Sequence, residues 1–177
     1  NDLGFDLVCI SGGKGIRGPQ SAGMLMGRKD LIAAARLSAP PSGGNIGRGM
    51  KVNKEEILGM YVALDKYVKQ DHAAEWKMWE DRVAVIVNAA KKVNGVTTAV
   101  SVPPIANHTP KITISWDPAK LKITPNELRK NLQNGSPSIE VMVEEHAIFL
   151  TVFMLQNGED KIVAKRVQEE LAKAALS

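Results

Sequence analysis

One lysine in this sequence has neighbours that could make it a nucleophile. Lys14 stands in "SGGKGIRGPQSAG", residues 11–23, directly after the apolar run at 7–10. A lysine at the carboxyl end of a strand buried on both faces occupies the place where α/β folds put their ligands. Partial desolvation there favours the neutral amine, and a neutral amine condenses with an aldehyde. Gly12, Gly13 and Gly15 lack the Cβ atoms that would crowd a planar ring lying over the chain, and glycine tolerates positive φ. Ser11 offers a hydroxyl and Arg17 a fixed cation, both suited to a phosphate group. The set asks for a phosphorylated aldehyde, which pyridoxal phosphate satisfies.

Other readings compete. A nucleotide phosphate loop needs serine or threonine after the lysine and glycine six residues before it; Gly15 and Val8 hold those places. Spacing alone also permits Lys14 to be an ordinary polar residue in a glycine-rich turn. Arg48 and Lys51 follow Gly43, Gly44, Gly47 and Gly49 in a second glycine-rich loop. They are either cations for a substrate carboxylate or phosphate, or solvated surface. His72, His108 and His146 lack the spacing of a paired metal site, so no metal is expected. Asp2 and Asp6 read as solvated or capping carboxylates, Met24 and Met26 as core filler, and Trp76 and Trp79 as packing anchors between domains.

The elements that must hold the lysine begin with "DLVCIS" at 6–11, whose continuous apolar character predicts a strand buried in a mainly parallel sheet. "AGMLM" at 22–26 predicts a second strand and "RKDLIAAARL" a helix. Two such strands do not make a stable sheet, so the chain is expected to be the later part of a larger protein. Residues 37–52 form a proline- and glycine-rich loop. Asn53 with Glu56 then reads as a capping box. Apolar positions Ile57, Tyr61, Leu64, Val68, Trp76, Trp79, Val83, Ile86 and Ala90 keep helical spacing to about Lys92. Their register slips at "KQDH", 69–72, which predicts a kink or break there.

After Asn94 the pattern changes to strands "VTTAVSV", "KITISW", "SIEVMVE" and "AIFLTVF" with helices "TPNELRKNLQN" and "GEDKIVAKRVQEELAKAAL". Thr124, Pro125 and Glu127 mark a helix start. The expected organisation is a remnant of a large domain at 1–52, a long linking helix at 53–92, and a small α+β domain at 93–177 with helices on one face of a largely antiparallel sheet.

Composition bounds the partners. The chain has 177 residues, 44% of them apolar, and a formal charge of +4 from 23 basic and 19 acidic residues. That is enough apolar content for a core, and the basic residues form no runs of the kind that dock on nucleic acid or lipid. No stretch resembles a membrane span or signal peptide. The one cysteine, Cys9, reads as a buried structural thiol in a reducing, cytoplasmic setting.

The segments "DLVCISGGKGIRGPQSAGMLMGRKDLIAAARL" and "IGRGMKVNKEEILGMYVALDKYV" resemble the second half of the selenocysteine synthase-like group of pyridoxal phosphate enzymes. That group includes L-seryl-tRNA(Sec) selenium transferase and D-glucosaminate-6-phosphate ammonia-lyase, and "SGGK" with "RGPQ" is closer to the lyase side. The specific motifs lie within about residues 4–68. The resemblance implies the end of a large domain of the aspartate aminotransferase type (fold type I), with Lys14 carrying the cofactor, Ser11 meeting its phosphate and Gly13 among the cofactor-binding residues. It also implies a homodimer or higher oligomer, and residues upstream of this segment that bind the pyridine nitrogen and stack on the ring. The implied activity is elimination of a β substituent from a small amino acid or amino sugar acid. Alternatives are a selenium transferase acting on tRNA, which the modest charge disfavours, and a noncatalytic interaction module.

Overall fold

Residues 7–11 do form a strand, but its surroundings differ from those expected. A computed structural model describes residues 3–41, 43–105 and 108–175; Asp2, Ser42 within the predicted loop, and Leu176 at the end of the last predicted helix lie outside these. Strand β1 (Leu7–Ser11) pairs antiparallel with β2 (Gly23–Gly27), with Cys9 opposite Leu25. The expected parallel, doubly buried strand is therefore corrected to one arm of a two-stranded ribbon. Leu7 and Val8 point to opposite faces and are 38% and 36% exposed, because no second layer of the described residues covers either face. Cys9 is exposed for the same reason, against the expected buried thiol. Met26 is likewise 40% exposed rather than core filler.

Helix α1 (Lys29–Ser38) follows directly. Arg28 at its start pairs with Asp6 at 2.9 Å and Asp30 at 2.7 Å, which ties the helix to the foot of β1. A single 3-10 turn spans Ile46–Gly49. Helix α2 (Lys54–Lys69) starts at Asn53, whose N–H donates to Glu56 Oε2 at 3.1 Å, so the capping box is present. Helix α3 (His72–Ala90) starts afresh two residues beyond α2. Gln70 and Asp71 are both extended, and Asp71 Oδ1 accepts the Ala74 N–H at 2.9 Å. An aspartate cap thus interrupts the helical pattern with no proline. The chain divides into compact units at this point, 1–70 and 71–177.

The second unit contains β3 (Val96–Ser101), β4 (Lys111–Trp116), α4 (Pro125–Gln133), β5 (Met142–Glu144), β6 (Ala147–Thr151) and α5 (Glu159–Ala175). Its sheet has the order β3-β4-β6-β5, antiparallel throughout. Ile112 and Ile114 of β4 and Ile148 of β6 are fully buried on one face, against a core that includes Ile86, Leu128 and Leu171 from the three helices. Thr113 and Phe149 alternate onto the other face. Strand β5 is shorter than "SIEVMVE" predicts. Ile139 and Val141 do face the core, but the Ile139 N–H donates to Leu132 O at 3.0 Å, at the end of α4, and not to the sheet. Trp79 is buried in this core and Trp76 packs on it edge to face, with ring centroids 5.8 Å apart. Both tryptophans thus anchor the core of this one unit.

Candidate functional site

The lysine turn is built from small residues that let three pieces of backbone approach one another. Beyond β1 the ladder extends by one bond, Gly12 N–H to Ala22 O at 2.9 Å. The chain then loops out and returns, with Arg17 N–H donating to Lys14 O and Gly18 N–H to Gly12 O, both at 2.8 Å. A Cβ on Gly12 would lie 2.7 Å from Ala22 O, and one on Gly13 2.9 Å from the Gln20 Cα. Both are backbone contacts that no side-chain movement relieves. Gly15 is the opposite case, since a Cβ there would meet nothing within 4 Å. The turn is closely packed at its base and open between Lys14 and Arg17.

Helix α2 holds the base from below. Met60 is 7% exposed, and its Sδ packs against Gly12 and Gly18, while Ala63 reaches Gly18 and Pro19 lies over Gly59. The stripe expected to face a core, Ile57, Tyr61, Leu64 and Val68, is not this contact; Ile57, Tyr61 and Val68 are exposed. Sequence reading missed Met60 and Gly59 because it followed the stripe of Ile57, Tyr61, Leu64 and Val68, and the contact lies on the flank of that stripe. Their available signal was the pairing of a small residue with a flexible one opposite a glycine-rich loop.

Gly13, Lys14 and Arg17 lie on this one turn, and Ser11 ends the strand that leads into it. Gly13 is partly buried, whereas Ser11, Lys14 and Arg17 are exposed. The expected desolvation of Lys14 is not found in this chain, because α2 covers only one side of the turn. Arg48 and Lys51 are also exposed and belong to a different loop. Its contacts run to the end of α1: Asn45 Nδ2 donates to Leu37 O, and a Cβ on Gly47 would strike Ser38 O.

The donor set fits a phosphorylated aldehyde. A primary amine, a hydroxyl and a guanidinium stand on one continuous stretch of chain, and the open space at Gly15 leaves room above the backbone. The described cavities are less suitable for chemistry. A cleft of about 310 Å³ in the second unit is lined by Ser138, Glu140, Thr151, Glu159 and apolar side chains, without an amine or thiol. A shallower one contains Arg82, already bonded to Val152 O at 3.5 Å and Asn157 Oδ1 at 3.3 Å.

A mixed α/β chain with two sheets and a glycine-framed lysine turn is the class the coordinates define. Comparison with known proteins narrows it. The chain is 32% identical over 139 residues to 5'-C-glycyluridine monooxygenase-decarboxylase from a Streptomyces species, a match covering 77% of this chain and 33% of that protein. It is 25% identical over 177 residues to D-glucosaminate-6-phosphate ammonia lyase of Salmonella typhimurium, covering 97% and 45%. It is 24% identical to L-seryl-tRNA(Sec) selenium transferase of Aquifex aeolicus, covering 96% and 39%. A solved D-glucosaminate-6-phosphate ammonia-lyase superposes with a TM-score of 0.69 at 22% identity, over 99% of this chain and 46% of that one. No family model matches the chain. These relatives support kinship with the pyridoxal phosphate-dependent selenocysteine synthase-like family, and the chain spans less than half the length of the curated relatives it matches.

Proposed function

We propose that the full-length protein is a pyridoxal phosphate-dependent lyase of fold type I that eliminates a β substituent from an amino acid, most like D-glucosaminate-6-phosphate ammonia-lyase. The observation that supports it most directly is the lysine turn, with Ser11, Gly13 and Arg17 around Lys14 at the end of β1. Lys14 would hold the cofactor through Nζ, with Ser11 and the Gly13 backbone at its phosphate. When bound, the cofactor supplies an aldehyde and a conjugated ring able to store an electron pair from the α-carbon. Once released, Lys14 Nζ accepts the substrate's α-proton, acting as general base. The electrons of that C–H bond become the Cα–Cβ double bond as the β substituent leaves with its bonding pair. The resulting enamine takes up water and gives a keto acid and ammonia. Arg17, Arg48 and Lys51 are the cations proposed for the substrate's anionic groups. The pyridine-nitrogen partner and the stacking residue come from outside these residues, and the working protein is a homodimer or larger.

The test uses the full-length protein. With pyridoxal phosphate it should develop a visible absorbance band, and borohydride should fix the cofactor's mass on the peptide containing Lys14. Lys14→Ala should abolish both. Keto acid should then appear from D-glucosaminate 6-phosphate. No band in the intact protein would point to a noncatalytic module, and selenium transfer to seryl-tRNA would point to the transferase reading. A second reading has its own support in the 32% identity to a monooxygenase-decarboxylase. Oxygen uptake with carbon dioxide release, in place of β elimination, would identify that chemistry.

A further inference from the structure

Among the described residues, Arg17 alone combines a side chain with a positive φ, at 60°. Elsewhere the chain meets this geometry with glycine, at Gly4, Gly27, Gly44, Gly95 and Gly158. The left-handed region brings an L-residue's Cβ close to the following carbonyl, and arginine lacks the short polar side chain that lets asparagine and aspartate tolerate it. Glycine would make the same turn without that strain. Position 17 therefore carries a guanidinium where the backbone disfavours any side chain, and strain of this kind collects at binding and catalytic sites.

The same turn fixes where the guanidinium starts. The bond from Arg17 N–H to Lys14 O closes a tight turn, so the two Cα atoms lie within about 7 Å. Arg17 is exposed, and the neighbouring Gly15 opens onto free space. A planar guanidinium matches a carboxylate or phosphate through two parallel hydrogen bonds.

We infer that Arg17 holds an anionic group of the substrate remote from the reacting carbon, a phosphate or second carboxylate, and so selects doubly anionic amino acids. This rests on Lys14 being the reacting amine, as proposed above. Arg17 acts as a specificity residue, and its strain is separable from its charge. Arg17→Gly removes both, Arg17→Ala removes the charge and keeps a Cβ, and Arg17→Lys keeps a charge without the planar fork.

The experiment takes the full-length protein saturated with pyridoxal phosphate, so that inorganic phosphate reports on sites other than the cofactor's. Inorganic phosphate should raise the thermal midpoint of the wild type, and this shift should be lost in Arg17→Gly and Arg17→Ala and be partial in Arg17→Lys. Without phosphate, Arg17→Gly should melt at or above the wild-type temperature and above Arg17→Ala. With D-glucosaminate 6-phosphate, KM should rise about tenfold or more in Arg17→Gly, the usual loss on removing one charged hydrogen-bond partner. The preference for D-glucosaminate 6-phosphate over D-glucosaminate, read as the ratio of their kcat/KM values, should fall by about the same factor in Arg17→Gly. An unchanged phosphate shift overturns the inference. So does a fall in cofactor affinity, which would assign Arg17 to the cofactor, or a lower midpoint in Arg17→Gly, which would make the side chain structural. If the wild type releases no keto acid, the lyase reading fails and the phosphate shift decides this inference alone: its loss in Arg17→Gly supports it, and its absence from the wild type overturns it.

Discussion

In residues 71–177, Ile86, Ile112, Ile114, Leu128, Ile148 and Leu171 have no accessible surface. In residues 3–70 the buried hydrophobic residues are Ala22 and Met60, while Leu7, Val8, Leu25, Ile57, Leu58 and Tyr61 are exposed. Both units have apolar-patterned strands and helices. The difference is that the antiparallel sheet of the second has a layer of helices against one face and a mixed face, with Lys111, Thr113 and Phe149, on the other, whereas the ribbon of the first is apolar on both faces with one helix beneath its loop. Burial requires a second layer, and patterning alone does not supply it. The lysine turn thus belongs to the unit that does not close its own core.

Truncation of side chains should expose this contrast most strongly. Ile148→Ala should cost about 3 kcal/mol by chemical denaturation, the usual range for emptying a buried site. Leu58→Ala, at a position 63% exposed, should change the stability of the chain by less than about 0.5 kcal/mol. Repeating both in the full-length protein sharpens the comparison. A Leu58→Ala cost that climbs toward that of Ile148→Ala would show that the open surface is covered there, and equal small costs at both sites in this chain would break the contrast.

A smaller effect is expected at the base of the lysine turn. Gly12→Ala should disturb the Gly12–Ala22 contact by about 1–3 kcal/mol, since the conflict is with backbone. It should speed proteolysis of 1–70 and leave the protection of 71–177 in hydrogen exchange unchanged. Slower exchange throughout, or none of the expected cleavage, would contradict the packing described for Met60 and the two glycines.

The smallest effect concerns the cap of α4. Thr124 donates its N–H and hydroxyl to Glu127 Oε2 at 2.8 and 2.7 Å, and its hydroxyl oxygen accepts the Glu127 N–H at 3.2 Å. The backbone bond first, then the hydroxyl, holds the Glu127 carboxyl below the ordinary glutamate value. A carboxyl depressed in the folded state favours folding when ionised. Its contribution is complete above the unfolded value and disappears as pH falls through the lower folded one. Thr124→Ala should therefore be destabilising at neutral pH, and this difference should shrink on acidification. A difference that is constant with pH would contradict the link to Glu127.

Much of the chain could be read from local signals. The capping boxes at Asn53 and Thr124, the strand at 111–116, and the break at 69–72 follow from side-chain chemistry acting within a few residues, and the structure has each of them. Pairing direction was not legible, because an apolar run has the same composition in a parallel or an antiparallel sheet. Nor was the shortening of β5, where one bond from Ile139 to the end of α4 replaces a ladder bond.

By its sequence alone this protein has a lysine framed by glycines, a guanidinium three residues on, and the helix boundaries around them, since these depend on neighbours along the chain. Tertiary structure decided which faces are covered, that β1 and β2 run antiparallel, that Met60 supports the turn, and that Arg17 sits at a φ of 60°. Those features depend on groups far apart in the chain meeting in space, or on a turn closing back on itself. Residue order constrains such meetings only when every layer is considered together.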